Sequence, residues 1–143
     1  MSTTMTAGTA YRSTPGPLHT ILLAGTVPLY LGALLSDIAY YNPHQIQWNN
    51  FASWLLAGAE LFAGLALLFA LVNLFRAPRK AGRPLLYVVL LLLTFVVGLI
   101  DCFEHAKDAW ASMPGGLIYS VIATVLAIAA TWIGLTTRAG GVK

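Results

Sequence analysis

Residues 84–110 read PLLYVVLLLLTFVVGLIDCFEHAKDAW. No charge falls between Arg83 and Asp101; then Asp101, Glu104 and Asp108, three of the chain's five acids, arrive with His105 and the only cysteine, Cys102. At about 1.5 Å rise per residue, an apolar run of this length crosses a hydrocarbon layer about 30 Å thick as one helix. The polar knot then marks where that helix reaches water. It either finishes the helix or builds a site.

Three more apolar segments share this character, so the expected spans are 18–40, 51–75, 84–103 and 115–135. The 143-residue chain is 58% hydrophobic and 9% charged, against about 25% charged in an average soluble domain. A soluble fold of this size could not bury so much apolar side chain, and the bilayer is its natural solvent. The expected architecture is all-α: a polytopic four-helix bundle, antiparallel and up-down-up-down, because the connections are short. A polar N-terminal segment, 1–17, and a tail, 136–143, flank the 18–135 transmembrane domain. The first segment reads as a retained span rather than a cleaved signal core. Pro84 and Pro114 stand where a first-turn N–H has no helical partner, and "YYNPHQIQWNN", "RAPRKAGR" and "SMPGG" read as connections.

Charge sets an expected orientation. Arg12, Arg76, Arg79, Lys80, Arg83, Arg138 and Lys143 fall on one side and Lys107 alone on the other. That bias predicts both termini in the cytoplasm. It also accounts for the net charge of +3 without nucleic acid. Asp37, Asp101, Glu104 and Asp108 lie at the outward ends of spans 1 and 3, and Glu60 lies in the outward half of span 2. Tyr40, Tyr41, Trp48, Trp54 and Trp110 are placed for an outer aromatic belt.

Small residues recur at helical spacing. Span 4 has Gly116, Ser120, Ala123, Ala127, Ala130 and Gly134; span 2 has Ala59, Ala63, Ala66 and Ala70; span 1 has Gly25, Pro28, Gly32 and Ser36. Such stripes let helix backbones approach closely in lipid, and they are expected to face one another. Pro28 is expected to kink span 1.

On span 3, Thr94, Gly98, Asp101 and His105 share a face, which Asp108 would continue; Glu104 is offset from His105. Spans 1 and 3 run in the same direction, so Asp37 reaches the same level, with His44 in the loop just beyond. Glu60, deeper, needs a proton, a hydrogen bond from serine, threonine or tyrosine, or a partner or water inside the bundle. A b-type haem would take His44 and His105, the only histidine pair on one side; His19 lies at the opposite edge and reads as an interface residue. His105, Asp101, His44 and Asp37 also have ligand types suited to zinc or iron. A hydrolase lacks a nucleophile, since Cys102 points off the His105 face and Ser112 reads as a loop serine. The plainest alternative has Glu60, Asp37, Asp101 and Glu104 finishing helices, bonding across the bundle or meeting a partner.

Three stretches carry a family resemblance: GPLHTILLAGTVPLYLGALLSDIAYY with His19, Pro28 and Asp37, then WNNFASWLLAGAELFAGLALLFAL, then GLIDCFEHAKDAW with Gly98 and Asp101. Over residues of about 16 to 135, the chain resembles the bacterial domain-of-unknown-function family 2231, small membrane proteins of four predicted helices. Thr20 and Val27 stand where the family usually has proline and phenylalanine. The resemblance implies a relative of small redox-associated membrane subunits that accompany cytochrome-like proteins. The expected function is therefore a membrane subunit of a redox assembly, with haem b possible near the outer face and no catalysis of its own. A structural or assembly subunit that docks a partner is the first alternative, and an oligomeric transporter or channel the second. Expected partners are the lipid bilayer, further copies of the chain, and membrane or extracytoplasmic subunits.

Overall fold

The computed structural model describes residues 16–77 and 82–139. The N-terminal segment with Arg12, and Arg79, Lys80 and Lys143, lie outside the described residues. Among the described residues four long helices form, α1 (Pro17–Tyr41), α2 (Ile46–Arg76), α3 (Arg83–His105) and α4 (Gly115–Ala139), with a 3-10 turn at Ala109–Ala111. Each is long and apolar enough to cross a membrane. Among the described residues there is no strand.

Local chemistry sets the ends. Pro17 and Pro84 occupy first-turn positions of α1 and α3, where a missing N–H costs nothing. Gly82, at φ 77°, turns the chain into α3, a conformation that a side chain would resist. The helix α2 starts before residue 51, and its first turns already bury Asn49. A tertiary hydrogen bond thereby overrides the loop-like composition of that stretch. At the other end α3 stops at His105: Ala106 and Lys107 donate their N–H groups to the Cys102 and Glu104 carbonyls. Asp108 consequently lies off the helix and exposed, so it does not continue the Asp101–His105 face.

Close contacts establish the antiparallel register. Along α1, Gly25 packs on Phe62, Gly58 on Leu29, and Gly32 on Leu55, so α2 descends as α1 rises. Gly116 meets His105 and Gly134 meets Tyr87, which runs α4 antiparallel to α3 in the same way. Neighbouring pairs α1–α2, α2–α3, α3–α4 and α1–α4 pack directly. That closes a four-cornered bundle with the parallel helices α1 and α3 on one diagonal.

The small-residue stripes of α2 and α4 do line the interior. Ala59 and Ala63 share one core cluster with Ala123 and Ala127, and Ala66 and Ala70 share the other with Ala130. On α1 the pattern divides: Gly25 and Gly32 receive α2 side chains, whereas Pro28 is exposed. The helix α1 runs through Pro28 without interruption. Large apolar residues such as Ile21, Leu35, Leu61, Leu68, Leu92 and Val125 point outward, which suits a lipid-facing surface. Tyr41, Trp48, Trp54 and Trp110 are exposed near the end that holds the acids, but Tyr40 is buried and leaves the expected belt.

Candidate functional site

At the acidic end of the bundle, a buried cluster sits between the diagonal helices. Asp37, in the last turns of α1, faces His105 at the end of α3, with Oδ1 2.7 Å from Nε2. His105 Nδ1 lies 3.0 Å from the Asp101 carbonyl oxygen and 3.1 Å from Asp101 Oδ1. Hydrogen-bond geometry favours the carbonyl, which leaves Oδ1 buried with no donor. From α4, Ser120 Oγ contacts Asp37 Oδ2 and lies 2.8 Å from Asp101 Oδ2. Asp37, Asp101 and Ser120 have no exposed surface, and His105 is 6% exposed.

Backbone spacing makes this possible. Asp101 and His105 are one turn apart on α3 and so point the same way. A Cβ at Gly116 would stand 2.7 Å from His105 Cε1, so only glycine there lets α4 close over the imidazole. The hydroxyl of Ser120 has one proton and two carboxylate neighbours. It can donate to only one of them.

Glu60 occupies a second polar position, one turn deeper. The Tyr30 hydroxyl donates to Glu60 Oε1, and no protein group donates to the buried Oε2. A side chain on Gly98 would collide with both the carboxylate and the phenol. Gly98 lies three residues before Asp101 on the same face of α3, which places Glu60 just beneath the first cluster. Of the partners considered for Glu60, the structure supplies a tyrosine. Toward the opposite end the interior turns apolar, with Leu22, Leu23, Leu67, Val88 and Leu91 packed together. The threonines inside the bundle, Thr26, Thr94 and Thr124, each donate to a carbonyl of their own helix.

The remaining residues singled out from sequence separate from this core. His44 is in the α1–α2 connection at φ 50°, stacked on Trp110 with ring centroids 5.0 Å apart. Together with Tyr41, Met113 and Pro114 these two rings line an open cleft of about 360 Å³. Glu104 pairs with Lys107 at 2.6 Å on the surface, where such pairs add little stability. His19 is buried at the other end of the bundle, 2.9 Å from the Tyr87 hydroxyl. The structure thus brings together Asp37, Asp101 and His105 and leaves His44 and Glu104 outside.

Three contributors escaped the sequence reading. Ser120 counted only as a small residue, although it is the one hydroxyl of the span 4 stripe; Tyr30 is a lone phenol among apolar neighbours. Ser112 is fully buried, donating to the Ala109 carbonyl at 2.7 Å and lying 3.3 Å from Asn49 Oδ1. Through that contact the α3–α4 connection reaches the start of α2.

Fold and site together define a small four-span integral membrane protein with a carboxylate–histidine cluster buried at one end of its bundle. The chain belongs to the family described as "Predicted membrane protein (DUF2231)", matched over residues 15–140. No curated protein and no solved structure matches it.

Proposed function

We propose that the protein is a non-catalytic subunit of the bacterial inner membrane, with both termini in the cytoplasm, that serves a cytochrome-like redox assembly by docking a partner at its acidic end. The observation that carries the reading is the uneven interior: Asp37, Glu60, Asp101, His105 and Ser120 bring polar groups from all four helices to one end, while an apolar cluster fills most of the other half and separates them from the His19–Tyr87 contact. A functional end with no polar continuation suits a docking subunit better than a channel formed by one chain. The orientation follows from the excess of arginine and lysine on the opposite side. The redox association rests on the family likeness.

A haem held between His105 and His44 fits these residues poorly. One ring nitrogen of His105 faces Asp37 and the other the Asp101 carbonyl, and His44 is engaged with Trp110 at the surface. The reading therefore places any haem on the partner. Purification in a gentle detergent, followed by native mass spectrometry and an absorption spectrum, tests it. A heteromer whose Soret band survives His105→Gln is expected. A colourless, strictly monomeric protein would sink the proposal.

A further inference from the structure

We propose that Asp37, Asp101 and His105, with Ser120 beside them, form a binding site for one divalent transition-metal cation of the zinc or manganese type. One potential ligand atom from each of Asp37, Asp101 and His105 lies within 4.8 Å of the others. Bonds to zinc are about 2.0–2.2 Å, so donors around one ion stand within roughly 3–4.5 Å of each other. The cluster is near that spacing already, and a small adjustment completes it.

Three further observations point to a cation rather than to a closed hydrogen-bond knot. First, donors are too few. Ser120 supplies one proton to two carboxylates, and Asp101 Oδ1 is buried with no hydrogen bond, 3.1 Å from a His105 Nδ1 whose proton points at the main-chain carbonyl instead. An oxygen in that state costs free energy unless something positive faces it.

Second, the imidazole is oriented as a ligand. Its Nδ1–H is directed at the Asp101 main-chain carbonyl, 3.0 Å away, which aims Nε2 at Asp37 Oδ1, 2.7 Å away. A backbone carbonyl on the far nitrogen is the common way to fix the tautomer and direction of a metal-binding histidine. The absence of a side chain at Gly116 seats the ring.

Third, charge and donor type select the ion. Two carboxylates neutralise a doubly charged cation, which matters in an interior where uncompensated charge is costly. One nitrogen and a few oxygens suit zinc, manganese or iron(II); calcium takes six to eight oxygens and magnesium keeps several waters. The ion would enter where Nε2 and Asp37 Oδ1 now meet, with the Ser120 hydroxyl as a fourth ligand. The site needs no partner and is independent of the docking proposal.

Titration calorimetry and metal analysis of the full chain in detergent, using zinc chloride, manganese chloride and magnesium chloride in turn, test it. Wild type is expected to bind one zinc or manganese ion per chain and magnesium at least about 10-fold more weakly. Asp101→Asn should lower zinc affinity by more than 10-fold with helical circular dichroism unchanged, and Ser120→Ala by about 10-fold. His44→Ala should leave binding intact. No uptake of zinc or manganese, equal binding by Asp101→Asn, or loss on His44→Ala would each overturn the proposal. Should Asp101→Asn fail to fold, X-ray absorption of the zinc-loaded wild type decides. Imidazole scattering with oxygen neighbours at about 2.0–2.2 Å is expected, and a shell without imidazole overturns the site.

Discussion

Gly98 shows how much of the interior turns on one missing methyl group. Its place on α3 is filled by the Glu60 carboxylate and the Tyr30 hydroxyl, so Gly98→Ala forces both to move within a packed core. A loss of about 1–3 kcal/mol is expected, readable by unfolding in mixed micelles. Tyr30→Phe removes the only donor to Glu60 and should cost about 1–3 kcal/mol. Adding Glu60→Gln should bring less than the sum of the two single losses, because the residues share one interaction. Strict additivity would show that the phenol and the carboxylate act separately. At this scale the sequence was informative where partners share a helix. Asp101 and His105 declare themselves by their spacing of four, whereas Ser120 and Tyr30 meet their carboxylates only through the register of one helix against another, which spacing along the chain does not encode.

Among the elements, glycine facing an aromatic ring is the recurring contact: Gly25 against Phe62, Gly64 against Phe95, Gly134 against Tyr87. A Cβ at Gly134 would lie 2.7 Å from the Tyr87 ring and 2.8 Å from Leu23 Cδ2. Gly134→Val should therefore separate α4 from α1 and α3, with a loss of at least about 1–3 kcal/mol and weakened ordering of His19 through Tyr87. Pro28→Ala should act in the opposite direction. The ring is exposed and removes one helical hydrogen bond, so alanine is expected to raise stability by up to about 3 kcal/mol; a drop would reveal a packing role that its exposure hides. The four elements were legible because an uninterrupted apolar run is a strong signal, and short connections left little freedom in topology. Where the reading missed, competing local interactions explain it. The start of α2 is stabilised by Asn49 reaching Ser112, and α3 stops short of Asp108 because Lys107 turns back to Glu104.

For the whole molecule, sidedness is the property that everything else depends on. If the acidic end faces outward, Lys107→Cys in intact cells should react with a membrane-impermeant maleimide. Arg83→Cys should react only after the cells are opened, and the reverse pattern would invert the bundle and move the docking end to the cytoplasm. The apolar half opposite the acids predicts no ion flux through liposomes that contain the monomeric chain. The placement of charge was readable from sequence at this scale, and so was the concentration of polar residues at one end. The burial of Ser112 was not, because it looks like any loop serine until the α3–α4 connection is seen against Asn49 of α2.

The partners of Asp37 lie late in the chain. His105 is 68 residues downstream and Ser120 is 83 residues downstream. At about 5–20 residues per second, a ribosome needs roughly 4–17 s after adding Asp37 to supply the last of them. Throughout that interval α1 carries a carboxylate without its full set of final companions. Early α1 is therefore expected to be a provisional span that settles only when α3 and α4 arrive. A chain ending after α2 should be degraded rapidly, and Asp37→Ala in that fragment should lengthen its lifetime in a pulse-chase. Equal lifetimes would mean that α1 is settled in lipid from the start. The residue that ties the finished bundle together is thus the one that makes its assembly depend on completing the chain.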